Sequence, residues 1–341
     1  MRILDTEIWL SASDLANHLG CQHLTWLNER AARREIAPPV WNDPLLEVLQ
    51  ERGFEHEAQY LDSLRGHGLS VFDVSADPTN NGFEATVAAM RAGHDVIVQP
   101  TLQNGRWFGR ADVLRRVDRT SGLGSYSYEV VDTKLARETR GGTILQLCLY
   151  SEIVADVQGL APELMHVVTP GNDFAPESFR LDDFLAYYRL VKAALERSVG
   201  SNGGQDTYPE PVPQCDVCRW WSACDQRRRA DDHLSLVAGV SRGQRRELVE
   251  WGVDTLAELA ALPLPLQQQP RRGARASYER VREQARVQFE ARVTGEPVFE
   301  LLSRAEDRGL ALLPEPSDGD MFFDIEGDPF ALDGGLEYLL G

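Results

Sequence analysis

No uninterrupted apolar run in the 341 residues approaches the roughly 20 that a membrane span needs. The N-terminal stretch MRILDTEIWLSASD is too broken by charge to read as a signal peptide, so a cytoplasmic chain without membrane segments is expected. Positive charge is scarce: 35 Lys and Arg face 53 Asp and Glu, a formal net charge of -18. That argues against a generally basic surface coating nucleic acid. It leaves room for a local basic groove, because a whole-chain sum says nothing about distribution. Local sources are Arg30, Arg33 and Arg34, then Arg227 to Arg229, then Arg242, Arg245 and Arg246, each equally readable as a solvated helix face. Cysteine is sparse too. Five thiols, an odd and unevenly placed set, suggest metal binding more than disulfides. What remains is ordinary for a soluble globular chain, long enough for one large domain with an accessory or for two domains.

Ser11 and Ser13 are candidate caps for a helix over residues 14–35, with Leu15, Leu19, Trp26 and Leu27 as its stripe and Cys21 inside it. A second helix is expected from about 42–44 to 65, with His56 four residues before Tyr60. A strand at 69–74, a helix at 83–92 and a strand at 96–102 follow, Pro100 placing the last at an edge or bulge. The best hairpin signal joins 105–118 to 125–135 through RTSGLG. A helix at 143–157, a strand at 164–170, a helix at 179–198 and a Gly/Pro-rich loop at 201–214 come next. Residues 234–262 read as two short helical pieces, either a helix-hairpin-helix-like unit or the tandem turn of a small accessory domain. Linkers at 263–273 and 314–320 flank a helix at 278–293.

The stretch YSYEVVDTKL, residues 126–135, reads as a buried strand carrying Asp132 and Lys134 on the face of Tyr128 and Val130. Charged groups ending an apolar strand are costly to bury unpaired, so they form a satisfied ion pair or part of a site. Asp112 on the preceding strand could bridge a cation with Asp132, with Lys134 activating water and offsetting phosphate charge. Gln146 and Tyr150, four apart on the following helix, share a face that should meet something polar. His56 is a candidate imidazole ligand, or a half-buried or surface histidine beside Glu55 and Glu57.

Taken together these segments resemble the RecB-type branch of the PD-(D/E)xK nucleases. The likeness rests on RGFEHE with His56, GRADV with Asp112, VVDTK with Asp132 and Lys134, and QLCLY with Gln146 and Tyr150, in that order over roughly residues 10–230. It implies an α/β, restriction-endonuclease-like core, a central mixed sheet flanked by helices. It also implies Mg²⁺ or Mn²⁺ on His56, Asp112 and Asp132, with catalysis by Asp112, Asp132, Lys134, Gln146 and Tyr150.

Cys215-x2-Cys218-x5-Cys224, beside Trp220 and Trp221, sets three thiols within ten residues. A tetrahedral metal site or cluster needs a fourth ligand; Cys21 is one candidate, and Cys148, in an apolar run, a weaker one. The arrangement is similar to the iron–sulfur subclass of the same family, which includes AddB and the CRISPR adaptation nucleases. That likeness implies a [4Fe–4S] clasp on Cys21, Cys215, Cys218 and Cys224, with structural Zn²⁺ as the alternative.

Near the C-terminus, FFDIEGDP sets Asp324 and Glu326 two apart on a strand, similar to the first motif of the DEDD, ribonuclease-H-like exonucleases. The expected organisation is a nuclease domain with clasp over 1–230, a helical accessory region over 231–313, and the start of an exonuclease domain over 320–341. The expected function is a metal-dependent deoxyribonuclease, an exonuclease first, acting on single-stranded or end-exposed DNA. The alternative is a catalytically silent nucleic-acid-binding scaffold for a helicase or repair partner, and RNA is a weaker third substrate.

Overall fold

The computed structural model describes residues 1–40, 44–76, 81–136, 138–171, 173–200, 207–303, 306–328 and 336–340. Parts of the expected second-helix start, the 201–214 loop and the 320–341 fragment lie outside them. The chain divides into two compact units, the first chiefly Met1–Tyr208, the second chiefly Cys215–Asp328 with Pro209–Pro211.

The first unit opens with β1 (Arg2–Leu4) and β2 (Glu7–Trp9), followed by α1 (Ala12–Gly20) and α2 (Gln22–Ala32). Ser11 caps α1 through a capping box: its hydroxyl accepts from the Asp14 N–H, while the Asp14 carboxylate accepts from the Ser11 N–H. The single helix expected over 14–35 breaks at Cys21, whose backbone is extended and whose thiol accepts from the Leu24 N–H at 3.4 Å. Next come α3 (Pro44–Gly66), β3 (Val71–Asp73), α4 (Gly82–Ala92), β4 (Val96–Val98), β5 (Thr101–Asn104) and β6 (Trp107–Arg110). The unit continues with β7 (Val113–Val117), β8 (Ser127–Thr133), α5 (Gly141–Gln158), β9 (Leu164–Val168), β10 (Glu177–Arg180) and α6 (Leu185–Gly200).

Six strands form a mixed sheet in the order β10–β9–β8–β7–β4–β3. β8 runs antiparallel to β7, with Val113 opposite Val131 and Arg115 opposite Glu129, and parallel to β9 on its other side. A parallel neighbour needs a crossover, which α5 supplies. The expected strand over 105–118 divides in two. β6 pairs with β5 in a hairpin of its own, main-sheet pairing resumes at Val113, and Ala111 and Asp112 are left in the break.

β8 is buried from Ser127 to Asp132. Its side chains alternate between two apolar layers. Tyr128 and Val130 join the core that includes Leu145, Leu149 and Ile153 of α5. Val131, with Val98, Val113 and Val168, meets Tyr60, Leu61 and Leu64 of α3. Glu129 shares this second face, accepting from the Leu164 N–H at 3.0 Å and lying 2.9 Å from His166 Nε2. Each buried aliphatic side chain contributes about 1.5–3 kcal/mol, which is why the strand stays inside while carrying two carboxylates.

The second unit contains α7 (Trp221–Ala230), α8 (Arg242–Glu250), α9 (Leu256–Ala261) and α10 (Arg275–Thr294) around a core that includes Leu248, Val253, Leu259 and Tyr278. α8 and α9 each begin with a capping box, Ser241 with Gln244 and Thr255 with Glu258. β11 (Asp324–Asp328) pairs with β12 (Leu336–Leu340), and Asp324 and Glu326 stand exposed. Among the described residues no helix is long and apolar enough to cross a membrane.

The structure is thus α/β, with a mixed sheet and helices. The expected restriction-endonuclease-like core closed by an iron–sulfur clasp is corrected: among the described residues no group of three or more His, Cys, Asp or Glu is placed to hold a metal ion or cluster.

Candidate functional site

The site lies where β8 ends, against α5. Asp132 is 1% exposed, and Lys134, one residue past the strand, returns its ammonium to 2.6 Å from Asp132 Oδ2. Oδ2 is buried, and among the described residues this ammonium is its ion partner. Oδ1 accepts from Gln146 Nε2 at 3.3 Å. Burial, followed by the negative charge of Asp112, pushes the Asp132 carboxyl up to about 7, with Lys134 opposing the rise. A carboxylate titrating near neutrality can both take and return a proton. Lys134 remains one-third exposed at the rim, so its charge reaches solvent while its partner does not.

The other expected residues take different positions. Asp112 Oδ2 accepts from the Thr133 N–H at 2.7 Å and the Thr133 hydroxyl at 3.0 Å, so this carboxylate ties the break before β7 to the end of β8. Tyr150 is buried; its hydroxyl donates to the Arg110 carbonyl at 3.1 Å, and a Cβ on Gly109 would come within 2.6 Å of its ring. Burial and the charges of Asp132 and Asp112 push its phenol upward. The tyrosine thus fixes the end of β6 leading into Asp112. His56, on α3, lies 3.3 Å from the Val168 carbonyl, an oxygen that can only accept, so the imidazole Nε2 carries the proton. The same carbonyl accepts the Lys134 N–H at 2.9 Å.

These engagements explain why the expected Mg²⁺ or Mn²⁺ set does not form. One Asp112 oxygen is saturated by Thr133, His56 Nε2 faces a carbonyl, and Asp132 faces Lys134. The expected [4Fe–4S] clasp is corrected in the same way, together with its Zn²⁺ alternative. Cys21 caps α2, Cys215 lies in a short helical turn at Pro213–Val217, and Cys224 lies inside α7. No group of three or more ligand side chains is found among the described residues, so the nuclease-type metal site and its cofactors have no support here.

Two participants were not anticipated. Glu57, next to His56 on α3, accepts a short hydrogen bond from the Gln99 side-chain amide. Its carboxyl is raised by burial and then by Asp112, and lowered by Gln99, Arg110 and Lys134, so it lies in the field of the same charges. Gln99 has φ of 50°, left-handed backbone for a non-glycine residue, and its N–H donates to the Asp112 carbonyl at 2.8 Å. Such strain costs on the order of 1–3 kcal/mol and gathers at functional sites. Composition singles out the same position: the chain has 33 Arg but only two Lys, and one of them is Lys134.

No family model matches the chain, and no curated protein matches it either.

Proposed function

We propose that Asp132 and Lys134 form a hydrolytic site for phosphodiester bonds in nucleic acid, with single-stranded or end-exposed DNA foremost. The observation that carries this reading is the pair itself, a buried carboxylate that titrates near neutrality with a rim-exposed ammonium 2.6 Å away. The attacking water, whose oxygen bonds to phosphorus, gives its proton to Lys134 at the rim. The Lys134 ammonium passes a proton inward to Asp132 in the same step, so that Asp132 is the final acceptor. The ester P–O bond breaks, and the leaving oxygen takes a proton from solvent. Lys134 offsets charge gathering on the phosphate. Gln146 orients Asp132, while Asp112 and Tyr150 hold the two strand ends in place. The order of the four segments that resemble RecB-type nucleases supports the same reading. No step is routed through an ion, because the donor set does not fit one.

The test is cleavage of end-labelled single- and double-stranded DNA and RNA, with divalent ion added and with chelator. We expect the wild type to cut single-stranded DNA and Lys134→Ala to be slower by about 10² or more while melting as a folded protein. Retained cleavage by Lys134→Ala refutes the assignment. One observation favours the silent-scaffold reading, namely that an Asp112 oxygen is already saturated by Thr133. Binding of nucleic acid without cleavage of any substrate would establish that reading instead.

A further inference from the structure

The arginine clusters singled out in the sequence separate once their partners are known. Arg30 pairs with Glu35, and Arg33 with Glu29. Arg227 pairs with Asp231, while Arg228 and Arg229 share Asp225. Arg245 is buried and bonded to Glu210 at 2.9 Å. Arg242 and Arg246 differ: both are exposed on α8, one helical turn apart, and neither forms an ion pair among the described residues.

The next residue along that stripe, Glu250, is taken by Arg271 at 2.7 Å. Arg271 belongs to the PRRGA segment leading into α10. That segment is pinned to α8 because Glu247 accepts from the Arg271 N–H at 2.5 Å and from the Tyr278 hydroxyl at 2.7 Å. Gln244 reaches the Ser277 carbonyl at 3.4 Å. Arg272 follows Arg271 in that segment and Arg275 opens α10 directly after it, donating to the neutral Gln269 at 2.7 Å. Among the described residues, these four guanidiniums on α8 and around the start of α10 form no ion pair. They belong to a region, residues 215–295, that holds 14 Arg and 11 Asp or Glu, a net of +3 inside a chain of -18.

We propose that Arg242, Arg246, Arg272 and Arg275 form a phosphate-binding face that holds the backbone of single-stranded nucleic acid. The planar guanidinium fork matches phosphate oxygens, and uncompensated charge draws a polyanion by releasing its counterions. That the face binds an anion follows from its arginines alone; that the anion is nucleic acid rests on the phosphodiester reading of Asp132 and Lys134.

Binding of a labelled 30-nucleotide single strand to the full chain, followed by anisotropy between 50 and 200 mM salt, tests the face. It is done in the Lys134→Ala background so that the probe stays whole. Arg242→Ala/Arg246→Ala should weaken binding about tenfold or more and flatten the log–log salt slope by about 1.4, two contacts at about 0.7 each. Arg272→Ala/Arg275→Ala should do the same, and Arg227→Ala should do neither. All four target positions are exposed, and matching melting curves show that the variants fold. Unchanged affinity in both double variants overturns the proposal, as does a Lys134→Ala parent that binds no strand. Displacement of the strand by poly-glutamate at equal charge would reassign the face to an acidic polypeptide. The cleavage assay reads the other site: loss of cutting with binding intact concerns Lys134, and loss of binding concerns the arginines.

Discussion

Replacing Asp132 by Asn should make the protein more stable and less active, with an advantage in stability that depends on pH. An ordinary aspartate titrates near 3.8, whereas the buried Asp132 carboxyl is pushed up to about 7. Between these values the folded state holds a proton that the unfolded state has released, so this group's contribution to stability falls as pH rises. Each pH unit is worth about 1.4 kcal/mol, and the charged carboxylate therefore costs on the order of 4 kcal/mol above pH 7. Asn has the same shape and never ionises; its carbonyl can face Lys134 while Gln146 turns its amide to match. Denaturant melts of both proteins from pH 4 to pH 9 isolate the group, since other titrations cancel in the difference. The difference should be small near pH 4, grow in favour of the Asp132→Asn variant up to about pH 7, and then level off. A flat difference, or a less stable variant at pH 8, refutes the assignment of a raised carboxyl at this position. Cleavage should be lost in the same variant, so the residue is kept at a cost in stability.

Gly109→Ala should cost about 1–3 kcal/mol, because the added methyl would lie 2.6 Å from the buried Tyr150 ring; an unchanged melting temperature contradicts that packing. In the second unit, hydrogen bonds from His233 and then Arg245 hold the Glu210 carboxyl down at about 2 against the cost of burial. Its stabilisation is present above the unfolded value near 4.5 and fades as pH falls toward 2. Glu210→Gln should therefore lower stability by about 1 kcal/mol at pH 7, after screening at this partly exposed site, and be neutral near pH 2, as read by thermal melts at both pH values.

The alternation that sets Asp132 and Lys134 on one side of β8, and Glu129 on the other, was legible because period two is a property of any strand. The break at Asp112 was not. Residues 105–118 are strand-forming throughout, and only the competition between β5 and main-sheet pairing shows where the chain turns. His56 is legible through the RGFEHE segment and does meet the sheet at the Val168 carbonyl; that Glu57 beside it reaches Gln99 depends on how α3 is rotated, a tertiary matter. The thiol spacing over 215–224 is local information, whereas a ligand set also needs convergence in space, which spacing does not specify. Arginine clusters were visible, but not their partners. Arg245 and Arg246 are neighbours, yet one is buried against Glu210 and the other is solvent-exposed.

Two buried carboxylates three residues apart on β8 also bear on how the strand finds its place. Asp132 belongs beside Lys134 and Gln146, Glu129 beside His166, on opposite faces of the sheet. A slip of β8 by one residue against β7 would turn Asp132 toward the valine layer under α3 and drive Glu129 among the aliphatic side chains of α5. Neither would find its cation or donor there, and each stranded charge would cost several kcal/mol. An all-valine β8 could bury itself in either register almost equally well. The residues we assign to chemistry thus also proofread the assembly of the sheet, and replacing both at once should yield a chain that folds less uniquely.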